Sequence, residues 1–317
     1  MPQQFPAKPP LGVIYVTTMD RPDAALALAL LYGYEGKRDS RLSALCVAGS
    51  GLNTAIYCDI VQRFYHIGPA RNSNSLLMVG LAPISSDSPD APMIRPALEH
   101  QPEYPHGIRR FTDTANAETI IRNGISFNSD AAVLISGPAT YVAKSMEILG
   151  ATELYEERVR RLIVVDQGTP YRDPAALRKL IASWPSPVYY LGKAAGESVL
   201  YPGSAVETNF TWSNGHPVVD AYRGYRAMPY DAPTWDLLAA QFAVHPTSSL
   251  FTVSEPGELT VGDDGRLQFS PGGKGRVKSV SVDLAQKEEL IETLVEVTSL
   301  KPQPPPQRFR PSAAEKK

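Results

Sequence analysis

The segment from Gly12 to Leu31, GVIYVTTMDRPDAALALALL, constrains the fold of this chain more than any other. Its first part is apolar and β-branched, which is typical of a buried strand, and its last part is rich in alanine and leucine, which favours a buried helix. Between them, Asp20 and Asp23 flank Arg21-Pro22, and proline and aspartate both suit the first turn of a helix. The segment therefore predicts an open parallel α/β sheet with a ligand site at this turn, because ligands bind at the carboxyl ends of such strands.

The order of strand, loop and helix recurs along the chain. Further strands are predicted at residues 42–47, 76–79, 131–136, 161–165 and 188–191. Helices are predicted at residues 54–65, 116–123, within 140–150, at 154–160 and at 174–183, with Asn53 or Thr54 as the N-cap of the first of them and Asp173 as the N-cap of the last. Residues 210–244 are helical and aromatic in pattern, interrupted by a turn at Tyr230–Pro233.

The C-terminal part of the domain changes character. Short strands joined by turns such as GDDG and PGGKG, at 250–253, 258–261, 267–269 and 277–282, predict a small antiparallel appendage before a closing helix at 284–297. We therefore predict one α/β domain over residues 11–300, with a long loop at 82–110 and the appendage at 250–283. The proline-rich ends, residues 1–10 and 301–317, are expected to be a flexible lead and a disordered tail.

Composition limits the partners. The 31 basic and 33 acidic side chains give a formal charge of −2, which excludes the electrostatic footprint of a nucleic-acid or anionic-membrane binder and favours a small ligand. The sequence contains no run of about 18 apolar residues, which a membrane span would need, and the first ten residues lack a hydrophobic signal core. We expect a soluble protein, cytoplasmic or exported after removal of a leader. Cys46 and Cys58 are expected to be buried thiols.

Three segments resemble the inosine-uridine preferring nucleoside hydrolases in their order and spacing. They are the opening turn, ISGPATYVAK at residues 135–144 and YDAPTWDLLAAQFAVHP at residues 230–246, supported by VAGS at 47–50, the His106-Gly107 pair and RDPAA at 172–176. The resemblance implies a mostly parallel open sheet flanked by helices, a Ca²⁺ ion at its carboxyl edge, and hydrolysis of an N-glycosidic bond. In that family the ion binds the ribose diol and the attacking water, and an aspartate takes the proton from this water. The resemblance also allows a homo-oligomer.

The same resemblance assigns roles to individual residues. It implies that Asp23, Asp231 and the Ser136 carbonyl hold the metal. Asp20 is the expected water-activating base, Tyr230 replaces the histidine that helps protonate the leaving base, and His106 is a further catalytic candidate. The candidates for substrate binding are Asp23, Ser50, Asn53 and Asp166.

The chain departs from the family pattern in its acidic turn. Thr17, Met19 and Ala24 stand where carboxylates are expected, and the segment VVDQGTPYRDPAA is shorter than the family's ribose-gripping segment. Three hypotheses therefore stay open. The protein hydrolyses a ribonucleoside or related ribosyl compound, it is a non-catalytic binding or scaffold protein that has lost the calcium site, or it hydrolyses a different glycosyl substrate.

Overall fold

The strand predicted from the opening segment lies at the centre of a large sheet. In the computed structural model, which describes residues 9–66, 76–82 and 89–302, eleven strands of the described chain form this sheet. Strand β1 (Leu11–Thr17) pairs in parallel with β2 (Ser40–Ala48) on one side and with β5 (Ala131–Ile135) on the other. Because β1 has neighbours on both sides and helices on both faces, its residues from Gly12 onward are buried, as the unbroken apolar run predicts.

The other strands of the described chain are β3 (Gly80–Ala82), β4 (Ala115–Asn116), β6 (Val159–Val165), β7 (Val188–Leu191), β8 (Leu200–Tyr201), β9 (Ala232–Pro233), β10 (Phe251–Val253), β11 (Gly257–Val261), β12 (Leu267–Pro271) and β13 (Val277–Val282). The order across the sheet is β12-β11-β13-β7-β6-β5-β1-β2-β3-β4, and β10 pairs with β13. Strands β8 and β9 form a separate antiparallel pair.

The helices of the described chain are α1 (Pro22–Lys37), α2 (Leu52–Tyr65), α3 (Arg95–Leu98), α4 (Ala117–Ser126), α5 (Thr140–Ser145), α6 (Ala151–Arg158), α7 (Pro174–Ser183), α8 (Lys193–Ser198), α9 (Gly203–Thr208), α10 (Pro217–Tyr225), α11 (Trp235–Val244) and α12 (Lys287–Thr298). Alternate residues of β1 belong to two apolar clusters. Val13 and Tyr15 join the cluster that contains α1 and α11, whereas Ile14 and Val16 join the cluster that contains α4 and α7. None of the described helices has the length and apolarity needed to cross a membrane.

The connection order fixes where a ligand can bind. From β1 the chain runs to β2, β3 and β4 on one side, and then returns to β5, β6 and β7 on the other. The strand order therefore reverses between β1 and β5, and in open α/β sheets the crevice outside the carboxyl ends at such a switch point is the usual ligand site. The predicted fold class, a mostly parallel open sheet flanked by helices, is confirmed.

Several predicted boundaries are wrong. The third strand lies at Gly80–Ala82 rather than at 76–79, the helix predicted to end at Gly150 ends at Ser145, and the N-cap of α2 is Gly51. Lys193–Ser198, where no element is predicted, forms α8. Residues 1–8, 83–88 and 303–317 lie outside the described residues, so the flexible lead, the disordered tail and part of the long loop stay predictions.

The C-terminal strands are antiparallel to one another but do not stand apart from the main sheet. Strand β11 pairs antiparallel with β12, and β10 pairs antiparallel with β13, as the turn-rich pattern predicts. Strand β13 in turn pairs in parallel with β7, from Val277 opposite Val188 to Val280 opposite Leu191. The appendage therefore extends the sheet edge, because β7 would otherwise present unpaired backbone groups there.

Candidate functional site

The carboxyl ends of β1 and β5 frame an open cleft of about 150 Å³. Its walls come from three strand ends and the loops that follow them, and they include Thr18, Asp20, Ser136, Gly137, Gln167, Tyr171 and Arg172. The turns after β1 and β5 approach closely at Gly137, where a Cβ would lie 3.2 Å from the Thr17 carbonyl carbon and the Thr18 amide nitrogen. A larger residue at this position would push the two walls apart.

The turn after β1 is held in an unusual conformation. Met19 is fully buried and has φ of 55°, in the left-handed region that side chains other than glycine rarely adopt. Its amide donates to Thr17 Oγ1 at 3.1 Å, and the Thr18 carbonyl accepts a hydrogen bond from Ser50 Oγ at 2.7 Å. With this backbone fixed, Thr18 Oγ1 donates to Asp20 Oδ1 at 2.7 Å, which orients a half-buried carboxylate at the cleft wall.

A fully buried carboxylate, Asp236, adjoins the same cleft. Two residues of the cleft wall donate to it, Ser136 Oγ to Oδ2 at 2.5 Å and Gln167 Nε2 to Oδ1 at 2.7 Å. Tyr15 Oη also donates to Oδ2, and Thr17 Oγ1 lies 3.4 Å from the same oxygen. The donors come from β1, from the turn after β5 and from the loop after β6, so Asp236 ties α11 to three strand ends.

Asp236 lies against a second buried carboxyl group. The Asp236 amide donates to Asp23 Oδ2 at 2.8 Å, whereas Asp23 Oδ1 is buried without a hydrogen-bond partner. Burial and the neighbouring Asp236 charge raise the pKa of Asp23 well above its usual value, and burial also raises the pKa of Asp236 against the opposing effect of its hydrogen bonds. Since hydroxyl and amide donors surround Asp236, we assign the negative charge of the pair to Asp236 and the proton to Asp23.

The residues present do not fit a calcium ion. Ca²⁺ takes six to eight oxygen ligands. Among residues 9–66, 76–82 and 89–302, no group of three or more histidine, cysteine, aspartate or glutamate side chains is placed to hold a metal. Both oxygens of Asp236 already accept hydrogen bonds, from Tyr15, Ser136 and Gln167. These hydrogen bonds stabilise the negative charge of Asp236 in place of a cation.

The structure brings some of the predicted site residues together and separates others. Asp20 and Ser136 share the cleft. Asp23 lies beside Asp236, but on the wall of a second cavity together with Tyr230 and Asp231. Asp231 is exposed and accepts a hydrogen bond from the Gly203 amide at 2.9 Å. The three aspartates expected to converge therefore do not form one carboxylate cluster.

The remaining candidates have local partners. Ser50 supports the turn after β1 as described above, and Asn53 Nδ2 donates to Asp90 at 2.9 Å. Asp166 accepts hydrogen bonds from the Gly168 amide and from Tyr190 Oη, both at 2.8 Å. His106 contacts the Ile108 carbonyl and Glu103 within its own loop. None of these four side chains lines the cleft.

Sequence reasoning missed Asp236, Tyr15 and Gln167 as parts of one cluster. Asp231 was chosen because it lies in the turn YDAP, but the buried carboxylate is five residues later, in the first turn of α11. A signal was present, because Asp236 begins an otherwise apolar run, LLAAQFAV. An acidic residue on a helix that is buried all round needs a paired or hydrogen-bonded position.

No family model and no curated protein matches the sequence. The fold is that of the nucleoside hydrolases. The chain is similar to the inosine-uridine preferring nucleoside hydrolase from Bacillus anthracis, with TM-score 0.62 and 15% identity over 90% of this chain and 100% of that one. It is also similar to an inosine-guanosine nucleoside hydrolase, with TM-score 0.66 and 12% identity over 90% and 98% of the two chains.

A third similar structure is not described as a hydrolase. It is the type III effector protein XopQ complexed with adenosine diphosphate ribose, with TM-score 0.59 and 13% identity over 92% of this chain and 93% of that one. At these identities the likeness establishes the fold. A shared fold does not fix the chemistry, which depends on the residues of this chain.

Replacing Asp231 with alanine should lower the free energy of unfolding by about 1 kcal/mol, because the Gly203 amide at the first residue of α9 loses its acceptor. Urea unfolding measures this loss, with the fully exposed Asp263→Ala as the matched control. Calcium should leave the transitions of wild type and of Asp231→Ala unchanged. Stabilisation of wild type by calcium that disappears in Asp231→Ala would instead make Asp231 a metal ligand.

Proposed function

We propose that this protein is a divergent member of the nucleoside hydrolase family that binds a ribosyl compound, a nucleoside or a related glycosyl ligand, in the cleft between β1 and β5 without a calcium ion. The observation that carries this proposal is the hydrogen-bonded state of Asp236. Its two oxygens accept from Tyr15, Ser136 and Gln167, so the carboxylate is stabilised by the protein itself. A preorganised site of this kind needs no ion to keep its shape.

The cleft carries groups that suit a sugar. Asp20 is half-buried at the wall, and a carboxylate accepts hydrogen bonds from neighbouring hydroxyls of a ribose diol. Arg172 lies in the same wall, where its Nη1 donates to the Gly49 carbonyl at 3.1 Å and so fixes the side chain. Hydrogen bonds to charged groups contribute about 1.5–3 kcal/mol each. Asp20 is therefore the residue on which we expect affinity to depend most.

Hydrolysis is the second candidate function, and the placement of Asp20 favours it. A carboxylate oriented by Thr18 within reach of the cleft can take a proton from water. The predicted acid for the leaving base is not in the cleft wall, because Tyr230 lies on the second cavity and donates its hydroxyl to the Tyr222 carbonyl. Burial also raises the pKa of Tyr230, which makes its hydroxyl a still poorer acid. We therefore expect the protein to bind the ligand without hydrolysing it at a measurable rate.

Calorimetric titration with inosine, uridine, adenosine and ADP-ribose tests this proposal, with each titration run once with excess chelator and once with calcium. We expect binding of at least one ligand with the same affinity in both buffers, and no release of free base over hours. Calcium-dependent binding together with base release would overturn the proposal in favour of metal-dependent hydrolysis. Base release without calcium would support Asp20 as the base of a hydrolase. Failure of all four ligands to bind would reject a ribosyl site.

Asp20→Asn should weaken that binding by about 10- to 100-fold, because the charge is lost while the shape is kept. Asp264→Asn, in the exposed turn between β11 and β12, is the matched control and should bind like wild type. Equal affinities of Asp20→Asn and wild type would remove Asp20 from the binding site.

A further inference from the structure

The loop between β2 and α2, residues 49–51, supports the turn after β1 without belonging to the cleft wall. The Gly49 amide donates to the Ala82 carbonyl at 2.8 Å, and the Gly51 amide donates to the Pro89 carbonyl at 3.1 Å. Ser50 lies between these two anchored residues and is 4% exposed. The loop therefore holds the Ser50 side chain at a fixed position.

The peptide unit between Thr18 and Met19 is held at both of its polar atoms. Its carbonyl oxygen accepts from Ser50 Oγ at 2.7 Å, and its amide donates to Thr17 Oγ1 at 3.1 Å. Thr17 belongs to β1 itself, so Ser50 supplies the contact from another part of the chain. Met19 has φ of 55°, and a residue with a side chain keeps such a conformation only where surrounding contacts hold it. The Ser50 hydroxyl is one of these contacts.

The next hydrogen bond of the turn leads to Asp20. Thr18 Oγ1 donates to Asp20 Oδ1 at 2.7 Å, and both side chains line the cleft. The two residues flank Met19, so a rotation of the peptide that Ser50 holds changes the direction in which the Asp20 carboxylate points. A displacement of about 1 Å is enough to remove much of the effect of a group in a binding site. The position of Asp20 therefore depends on a residue outside the cleft.

The same loop also fixes the second charged group of the cleft wall. Arg172 Nη1 donates to the Gly49 carbonyl at 3.1 Å, so neighbouring residues of one loop are joined to a carboxylate and to a guanidinium group of the wall. The resemblance implied instead that Ser50 contacts the ligand. Two observations oppose that role, because Ser50 does not line the cleft and its hydroxyl proton is donated to the Thr18 carbonyl.

We propose that Ser50 is a positioning residue for the ribosyl site, which sets the place of the Asp20 carboxylate through the Thr18–Met19 peptide and does not touch the ligand. This inference rests on the proposed function, in which Asp20 contacts the ligand, and it adds the loop after β2 to that site. It follows that Ser50 affects affinity only while Asp20 is present, because two residues that act through one contact have non-additive effects.

The test is a double-mutant cycle of Ser50→Ala and Asp20→Asn, measured by calorimetry. The probe is whichever of inosine, uridine, adenosine and ADP-ribose binds wild type most tightly. Ser50→Ala should weaken binding by about fivefold to tenfold when Asp20 is present and by less than about twofold in the Asp20→Asn background. The conservative Ser50→Thr, which keeps the hydroxyl, should bind like wild type.

The matched control is Ser145→Ala. Ser145 is also fully buried, and its Oγ donates to the Val142 carbonyl at 2.7 Å, but it lies outside the cleft wall. This variant should bind like wild type. Unfolding curves show that each variant is folded in the titrations, and Ser50→Cys, which keeps the volume but is a weak donor, takes the place of Ser50→Ala if that variant is unfolded.

The outcomes separate this inference from the proposal on which it rests. Equal losses from Ser50→Ala in both backgrounds would overturn the positioning role and indicate a direct contact, and no loss in either background would overturn it as well. If none of the four ligands binds wild type, the ribosyl proposal fails, and the free protein decides the positioning role. The carboxyl ¹³C resonance of Asp20, assigned by its absence in Asp20→Asn, should move in Ser50→Ala and not in Ser145→Ala. An unmoved resonance in Ser50→Ala would reject the inference.

Discussion

Asp236→Ala is expected to lower the free energy of unfolding by about 3–5 kcal/mol. The substitution removes a buried carboxylate and leaves Tyr15, Ser136 and Gln167 with buried donors that have no acceptor. It also removes the link between α11 and the three strand ends that frame the cleft. Urea unfolding at neutral pH measures the loss. Asp166→Ala is the control, because this half-buried side chain accepts two hydrogen bonds and should cost about 1–2 kcal/mol.

The isosteric variant Asp236→Asn separates a hydrogen-bonded carboxylate from a vacant metal ligand. In a metal site without its ion, neutralising one of two adjacent carboxylates relieves repulsion and stabilises the protein. Here the asparagine amide would present protons to groups that are already donors, so we expect Asp236→Asn to lower the unfolding free energy by about 2 kcal/mol. An unchanged or raised stability would contradict the hydrogen-bonded assignment.

The second large effect is a dependence of the unfolding free energy on pH, which comes from His216. This residue is 3% exposed among the rings of Phe64, Tyr65, Phe210 and Trp212, and burial lowers its pKa to about 3 from the usual 6.5. In the unfolded chain the imidazole takes up a proton below pH 6.5, whereas in the folded protein it stays neutral. The stability that depends on neutral His216 is therefore fully present above pH 6.5 and is lost progressively as the pH falls toward 3.

The loss amounts to about 1.4 kcal/mol for each pH unit below 6.5. Urea unfolding of wild type and His216→Gln between pH 7 and pH 4.5 isolates the contribution of His216, since the other titrating groups are common to both proteins. The amount by which the unfolding free energy of wild type exceeds that of His216→Gln should decrease by about 2–3 kcal/mol as the pH falls over this range. His106→Gln, which replaces a histidine outside this aromatic cluster, is the matched control. Parallel curves for wild type and His216→Gln would contradict the buried neutral assignment.

Much of the fold follows from local pattern. The apolar run of β1, the buried helix after it and the recurring strand–loop–helix order predict a parallel sheet with helices on both faces, and the structure confirms this. The strand after α2 was misplaced because the segment at 76–79 is as apolar as the true strand at Gly80–Ala82, and apolarity alone does not reveal which residues pair with β2.

The position of the cleft could be predicted from the sequence. Asp20 and Ser136 follow two strands that proved to be neighbours, so both lie at the carboxyl edge of the sheet. Asp236 was missed because Asp231, in the turn before α11, was taken as the ligand. The apolar run that follows Asp236 in the first turn of α11 is the local signal that this carboxylate is buried, but its contact with Asp23 depends on the assembled fold.

The sequence by itself determined the order of elements, the turn at which a ligand site forms and the resemblance to the nucleoside hydrolases, because periodicity and turn residues are local properties. Tertiary structure alone decided the chemistry at that turn. It placed Tyr15, Ser136 and Gln167, which lie on three separate segments, around one carboxylate, and it set Asp23 on the wall of a second cavity. Hydrogen bonds between residues more than 60 positions apart form only when the sheet has assembled, and so the donors around Asp236 are visible only in the folded chain.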